Sequence, residues 1–305
     1  TKGSAILVDQ SKIKLTRCRV TNASKHGIEV LNSASAKISD TMIDTNTYSG
    51  ILSVSGKIEL QSCHIEGNHD SNVIIDDRSF LEPTNCSFLK SEHDGLVADS
   101  QSMVKCNGCF FISNKGRGIV IKNCRDSKFQ ESTFFDNKRG GLLSEKTKQM
   151  VVDSCIIYKN SFIIREVQNA IVRKSAFSSA TTKVNNTREH IEIRNDSKAT
   201  FEENKIEKSC TIVVQAELNA RQNRFLHSPA TTIEAEYKAT LHIESNEFEK
   251  DHMIISARDN SEVHCFNNKM SNITRPKTLD SDAKFKAIFI RSFSEGRIEG
   301  NTISG

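Results

Sequence analysis

The sequence contains no tryptophan, only three prolines and only three tyrosines among its 305 residues. It also lacks any run of 18 consecutive apolar residues, which argues against a membrane-spanning helix. No leader segment with a cleavable apolar stretch is visible at its start. The formal net charge of +4 is small for this length. It argues against a dedicated nucleic-acid-binding protein, because such proteins carry a strongly basic surface.

The composition is that of a folded chain, with 36% apolar and 26% charged residues. Its nine cysteines are an odd number, and Cys106 and Cys109 are the only close pair. We therefore expect free thiols in a reducing compartment and an intracellular, cytoplasmic location. The alternative is an extracellular protein with one unpaired thiol. Because the chain starts at Thr1, we expect it to be a fragment of a longer protein with flanking domains or end caps.

A repeat of 21 to 23 residues dominates the sequence. Its first marker is a glycine followed by an aliphatic residue, at Gly27, Gly50, Gly95, Gly118 and Gly141. In a second column, a small or polar residue precedes an apolar residue by two positions in all thirteen repeats, from Cys18 to Asn301. Further apolar residues lie three and five positions before that column. Each repeat therefore contains three short segments of alternating polarity, which is the signature of strands.

Such short strands are stable only when identical units stack and pair in parallel with their neighbours. The sequence therefore predicts an all-β, single-stranded right-handed parallel β-helix, or solenoid. We expect one domain over residues 1–305 with about thirteen coils.

The repeat resembles that of the pectin-lyase-like superfamily. Five residues match the asparagine that precedes the third strand in that superfamily, namely Asn204, Asn223, Asn246, Asn268 and Asn301. The resemblance implies that they occupy a tight left-handed turn and stack as a ladder. Cysteine, serine or threonine replaces this asparagine in the first half, so we expect a different turn there. The repeat style is also similar to the β-helix domains of F-box substrate adaptors and of SHC-binding-protein-type scaffolds.

Enzymes of the resembled superfamily carry acids, arginines or histidines on the outer face of the first strand. Here five consecutive coils present aliphatic residues at that position, namely Leu52, Ile74, Val97, Val120 and Leu143. In the second half we assign the outward positions to Glu192, Val213, Glu234, Ile255 and Phe289. An exposed aliphatic stripe usually marks an interaction site. The occupant is another protein or a covering segment of the full-length chain, and an apolar ligand groove remains an alternative.

One turn combines carboxyl and imidazole groups. His69 and Asp70 lie in one coil, and His93 and Asp94 lie in the next. Such groups can transfer protons or bind a metal, but charged turns are common, so we assign no catalytic residue, metal or cofactor here. These four residues are candidate site residues only for the alternative function given at the end of this section.

Two insertions, at 178–189 and 271–284, leave the coil after the third strand. Their basic residues Lys183, Arg188, Arg275 and Lys277 are further binding candidates, since loops on a rigid scaffold often carry function.

The sequence favours an intracellular protein–protein interaction domain, a scaffold or substrate adaptor, over an enzyme. The alternative is a carbohydrate-active enzyme, or a polysaccharide- or receptor-binding rod, that uses the histidine–aspartate turn. Neither a membrane nor a cofactor is expected, and nucleic acid is a less favoured partner.

Overall fold

Each coil of the computed structural model consists of three short strands joined by tight turns. The structure describes residues 3–179, 190–208, 211–227, 231–249, 253–273 and 287–304. These residues form no helix, and hence none that is long and apolar enough to cross a membrane. The predicted right-handed parallel β-helix is confirmed. By its internal contacts the chain divides into two compact units, Thr1–Asn160 and Ser161–Gly305. That the chain is one domain of a longer protein stays a prediction.

The first unit contains seven strands in each of three parallel sheets. The strands of the first sheet are Ile6–Asp9, Ile28–Leu31, Ile51–Val54, Val73–Asp76, Leu96–Ala98, Arg117–Lys122 and Gly140–Glu145. Those of the second sheet are Lys12–Thr16, Ser35–Ser39, Lys57–Gln61, Phe80–Thr84, Met103–Asn107, Asp126–Gln130 and Gln149–Asp153. Those of the third sheet are Arg19–Thr21, Met42–Asp44, His64–Glu66, Ser87–Leu89, Phe110–Ile112, Thr133–Phe135 and Ile156–Tyr158.

The second unit contains six strands in each of its three parallel sheets. The strands of the first sheet are Phe162–Arg165, Ile191–Arg194, Ile212–Val214, Thr231–Ala235, Met253–Ala257 and Ile288–Ile290. Those of the second sheet are Asn169–Arg173, Lys198–Glu202, Glu217–Arg221, Thr240–Glu244, Glu262–Phe266 and Glu295–Glu299. Those of the third sheet are Ala176–Ser178, Lys205–Glu207, Arg224–Leu226, Glu247–Glu249, Lys269–Ser271 and Thr302–Ile303.

The core of each unit is a stack of inward-facing apolar columns. In the first unit the rings of Phe88, Phe111 and Phe134 stack with centroid distances of 4.8 and 5.1 Å. Phe225 and Phe248 do the same in the second unit at 4.6 Å. All five rings are fully buried. They stack because in-register parallel strands place the same sequence position of successive coils one strand spacing apart.

The predicted asparagine ladder is present in the second unit. The side-chain oxygen of Asn223 accepts the backbone N–H of Asn204 at 2.9 Å and its side-chain amide at 3.0 Å. One detail of the prediction is wrong, because the left-handed residue is the one before each asparagine. Gln222 has φ 55° and Ser245 has φ 54°. The asparagine itself is buried, and its side chain forms hydrogen bonds between neighbouring coils.

The corresponding turn of the first unit has the same conformation, contrary to our expectation. Asn85, just before Cys86, has φ 52°. A thiol or hydroxyl then replaces the asparagine oxygen. The Cys63 N–H donates to the Cys86 sulfur at 3.4 Å, and the Cys109 N–H donates to the Ser132 hydroxyl at 3.1 Å. The turn tolerates the change of residue type because only an acceptor for one backbone N–H is needed.

A second asparagine ladder, which the sequence analysis missed, lies in the turn before the first strand of the first unit. The Asn137 side-chain oxygen accepts the backbone N–H of Asn114 at 3.1 Å and its amide at 2.8 Å. Asn160 repeats the backbone bond with Asn137 at 3.1 Å. The sequence carries the signal, since these three asparagines are 23 residues apart.

The glycine column has a steric cause. A Cβ atom added to Gly95 would lie 2.6 Å from the carbonyl oxygen of Gly118 and 2.9 Å from the Asn114 side-chain nitrogen. At Gly118 the same atom would lie 2.7 Å from the carbonyl oxygen of Gly141. The glycines therefore allow this turn to pass close to the next coil.

Candidate functional site

The predicted aliphatic stripe is in register on the first sheet of the first unit. Ile74 pairs with Leu52 on one side and with Val97 on the other. Val97 then pairs with Val120, and Val120 with Leu143. The residues next to these five along the strands point into the core, so the stripe faces outward.

The stripe is exposed over only part of its length. Leu52, Ile74 and Val97 are half-buried, whereas Val120 and Leu143 are only 7% and 9% exposed to solvent. The expectation of five exposed residues is therefore wrong for the last two.

Longer side chains accompany the two buried members of the stripe. Two residues beyond Val120 and Leu143, on the same outward face, Lys122 and Glu145 are register partners. Both are half-buried, and the methylene stems of such side chains cover adjacent apolar surface. Two residues beyond Leu52 and Ile74, the corresponding side chains are the shorter Val54 and Asp76.

The aspartates of the histidine–aspartate turn are engaged with the backbone. Asp94 Oδ1 accepts the N–H of Arg117 in the next coil at 2.6 Å. Asp70 Oδ1 accepts the N–H of Ser71 at 2.7 Å. Both carboxylates therefore hold turns in place.

The remaining polar groups of this turn point to solvent or pair with each other. His69 and His93 are exposed. Glu92 forms a hydrogen-bonded ion pair with Lys115 of the next coil. The hydrogen bond from Lys115 lowers the pKa of Glu92. Over the described ranges, no three His, Cys, Asp or Glu side chains are grouped so as to hold a metal ion. The turn therefore offers two exposed imidazoles without a free carboxylate.

The second unit presents a carboxylate on the outward face of its first sheet. Glu192 is 4% exposed. Its Oε1 accepts bonds from Arg165 Nε at 3.1 Å and Nη2 at 2.8 Å, and Arg194 Nε lies 3.0 Å away. His190 Nε2 lies 3.1 Å from Oε2. Burial opposes ionisation, but the hydrogen bonds from His190 and Arg165 and the arginine charges outweigh it and lower the pKa of Glu192 to about 2.

A second carboxylate, Glu234, lies on the same face two strands along. Glu192 pairs with Val213, and Val213 pairs with Glu234. Burial and the neighbouring charge of Glu236 raise the pKa of Glu234. Glu236 itself is held by Arg258 and by Gln215 Nε2 at 3.1 Å.

Glu234 borders an open groove of about 290 Å³. Its lining residues include Thr231, Glu234, Ser256, Arg258, Phe289 and Arg291. Arg291 stacks over Phe289 with 5.4 Å between guanidinium carbon and ring centroid.

The sequence predicts that Glu192 and Glu234 face outward but indicates no role for them, because their environment depends on arginines from other coils. It also predicts Ile255 as the next outward position. The outward residue is Ser256, which pairs with Glu234, while Ile255 is buried and pairs with Ile233. The repeat length changes by one residue here, and a one-residue shift reverses the facing of a strand.

A further apolar surface, which the sequence analysis did not consider, lies on the third sheet of the first unit. We name it the third-sheet patch. Its members are Leu89, Phe110, Ile112, Phe135, Ile156 and Tyr158. They form two outward columns that flank the buried column from Phe88 to Ile157. The sequence carries a periodic pattern that indicates this patch, because successive members of one column are 23 residues apart, namely Leu89, Ile112, Phe135 and Tyr158.

The four basic binding candidates from the insertions, Lys183, Arg188, Arg275 and Lys277, lie outside the described residues. Their role in binding stays a prediction.

Solved structures of similar fold include the catalytic unit of a thermostable GH87 alpha-1,3-glucanase from Streptomyces thermodiastaticus strain HF3-3. It has a TM-score of 0.42 and 8% identity, over 95% of this chain and 63% of that one. PfbA, a surface adhesin of Streptococcus pneumoniae, has a TM-score of 0.33 and 11% identity, over 86% of this chain and 82% of that one. The chain thus spans less than two thirds of the glucanase unit. At these identities the likeness concerns the fold alone.

A search among curated proteins finds no match to the sequence. A family model does match it. The model describes the right-handed β-helix region and aligns with residues 4–162, which is more than half of the chain. On this match, and on the coils described above, the chain belongs to the right-handed β-helix family.

Proposed function

We propose that this protein is a protein–protein interaction domain that binds a partner through the exposed part of the aliphatic stripe. The observation that carries the proposal is the ladder of Leu52, Ile74 and Val97, three half-exposed aliphatic side chains in register on one sheet face. Contiguous apolar surface of this kind is costly in water and typical of recognition surfaces. A stack of hydrogen-bonded coils holds it rigid, so little conformational entropy is lost on binding.

An intracellular location is part of this proposal. Seven of the eight described cysteines are buried, and all eight are free thiols. Buried free thiols are typical of proteins from reducing compartments.

Site-specific photo-crosslinking tests the proposed surface. A benzophenone amino acid replaces Ile74, and a second variant carries it at Lys105, which is exposed on the second sheet. We expect a defined crosslinked partner from Ile74 and none from Lys105. Adding Val97→Asp should abolish the Ile74 adduct, while the circular dichroism spectrum is unchanged. An Ile74 adduct that survives Val97→Asp, or the absence of any adduct, contradicts the proposal.

The second candidate function is polysaccharide binding or hydrolysis, and the groove beside Glu234 favours it. A carboxyl group with a raised pKa keeps its proton for longer and can donate it to a leaving oxygen. Thr231 and Ser256 supply hydroxyl groups, and Phe289 supplies a ring against which a sugar face can pack. The low pKa of Glu192 makes it a weak base, so we assign it to holding Arg165 and Arg194. This site replaces the histidine–aspartate turn as the location for the alternative.

Release of reducing ends from a panel of neutral and acidic polysaccharides tests this candidate. We expect Glu234→Gln to abolish any such release. Glu262→Gln, which changes a carboxylate on the second sheet, is the matched control and should leave it unchanged. His93→Ala should also have no effect. Activity that persists in Glu234→Gln, or no release from any polymer, contradicts a hydrolytic role.

A further inference from the structure

The third-sheet patch combines protruding and recessed side chains. Phe110 and Ile156 are 45% and 52% exposed. Thr133 lies between them, in register with Phe110 on one side and Ile156 on the other. Since strands are ~4.8 Å apart, the two large side chains stand ~9.6 Å apart with a smaller residue between them. The surface therefore has a notch of the width of one apolar side chain.

The second column of the patch gives the notch an aromatic wall. The rings of Phe135 and Tyr158 stack at 5.5 Å with an interplanar angle of 20°. Lys159 Nζ lies 5.5 Å from the Phe135 centroid and 5.7 Å from that of Tyr158. The ammonium group is thus held at the edge of the apolar surface by cation–π contacts.

The border of the patch next to this column is basic. Lys90 follows Leu89; its side chain is 72% exposed, and its Nζ lies 3.9 Å from Glu66 Oε2. Lys138 and Arg139 are exposed in the turn after Phe135. Asp136 is the one acid beside them in that turn. With Lys159, this border has four basic residues against the two acids Asp136 and Glu66, and this excess of positive charge favours a partner with acidic flanks.

The backbone of the patch restricts what can bind. Both neighbours of each central strand are already paired within the sheet, so no strand edge is available here. An extended segment lying on these side chains would leave its own N–H and C=O groups without partners. A helix satisfies its backbone internally, and its ~5.4 Å pitch is close to the ~4.8 Å spacing of the coils. Six side chains also form a small surface compared with the ~800 Å² that each subunit of a stable dimer buries.

We propose that the third-sheet patch docks an acidic amphipathic helix of a partner protein, with one apolar side chain of the helix inserted between Phe110 and Ile156 above Thr133. The acidic residues of the helix face Lys90, Lys138, Arg139 and Lys159. The patch lies on a different sheet from the aliphatic stripe, so this inference does not depend on the function proposed above.

Fluorescence anisotropy with a designed peptide pair tests the inference. The probe is an 18-residue capped helical peptide with leucine at positions i, i+4, i+7 and i+11 and glutamate on its flanks. Its twin has lysine in place of glutamate. We expect the acidic peptide to bind at least tenfold more tightly than the twin and to weaken as salt is added. Equal binding of both peptides, or binding of neither, overturns the inference.

Two variants locate the binding site. Thr133→Trp fills the notch without adding charge, and Phe110→Asp removes one wall. Each should weaken binding of the acidic peptide at least tenfold while the circular dichroism spectrum is unchanged. Val97→Asp, on the aliphatic stripe, is the control and should leave peptide binding unchanged. If Thr133→Trp binds like the unmodified protein, or if sedimentation shows a dimer that Phe110→Asp dissociates, a helix is not the occupant.

Discussion

The side-chain oxygen of Asn246 accepts both the backbone N–H of Asn223 at 2.8 Å and its side-chain amide at 3.0 Å. Asn246 in turn donates from its amide to the carbonyl oxygen of Ala220 at 2.8 Å. One buried side chain thus satisfies polar groups of two coils. Since an unsatisfied buried polar group costs more than a hydrogen bond contributes, these ladders are sensitive points of the fold.

Asn246→Ala should lower the free energy of unfolding by about 3 kcal/mol, because two donors of Asn223 lose their shared acceptor and the carbonyl oxygens of Ala220 and Glu244 each lose a donor. Urea unfolding monitored by circular dichroism measures the change. Asn219→Ala removes a half-buried, outward-facing amide of the second unit and serves as the control, with an expected loss below about 0.5 kcal/mol. Similar losses in both variants would show that the ladder has no special role.

The Glu192 cluster should make stability depend on pH in acid. The pKa of Glu192 is lowered from 4.5 to about 2 in the folded protein. The unfolded chain therefore takes up this proton first as the pH falls. The stabilisation is complete above pH 4.5 and is lost as the pH falls through 2, with a magnitude of about 3 kcal/mol. Glu192→Gln should weaken the pH dependence of the thermal unfolding midpoint between pH 4.5 and 2. An unchanged pH dependence would contradict the assignment.

Glu234 should have the opposite effect. Because its pKa is raised in the folded state, stability is greatest below the ordinary pKa of a glutamate and decreases as the pH rises through the raised value. Glu234→Gln should therefore raise the unfolding free energy at pH 7 and change it little at pH 4. Thermal unfolding at the two pH values measures this. Destabilisation at pH 7 would mean that the ionised carboxylate is held by a favourable contact.

Gly95→Ala should destabilise the first unit by about 2 kcal/mol, because the new methyl group overlaps the carbonyl oxygen of Gly118. Gly3→Ala is the matched control, since no atom lies within 4 Å of a Cβ added there. The difference between their urea midpoints measures the steric effect. An equal midpoint for both variants would show that the coils separate at little cost.

The sequence was sufficient for the fold because every coil repeats the same physical requirement. Phe88, Phe111 and Phe134 each fill the same core position, and Asn204 and Asn223 each bond the next coil. Such columns are visible as spacings. The left-handed residue before each column was missed because polar residues of many types adopt it, from Gln222 to Asn85.

The candidate site was less predictable, because its properties depend on contacts between side chains that follow no spacing. Val97 and Val120 are both valines at the same position of the repeat, yet Val120 is buried and Val97 is half-exposed. Two residues further along the chain, Val120 is followed by Lys122 and Val97 by the shorter Asp99. Likewise Glu192 and Glu234 occupy equivalent positions, but Glu192 is paired with Arg165 and Arg194, whereas burial and the charge of Glu236 raise the pKa of Glu234. A periodic pattern shows which way a residue points, and its neighbours determine its chemistry.

The register of the strands has one more consequence. Within the first unit, outward-facing positions recur every ~4.8 Å across the strands and about every 6.6 Å along them. This is a fixed lattice of attachment points whose coordinates do not depend on the residues that occupy them. Lys105 and Lys128, paired on the second sheet, are two such points. Pairs of probes or ligand groups attached at chosen points would have known separations, so this unit can serve as a molecular ruler.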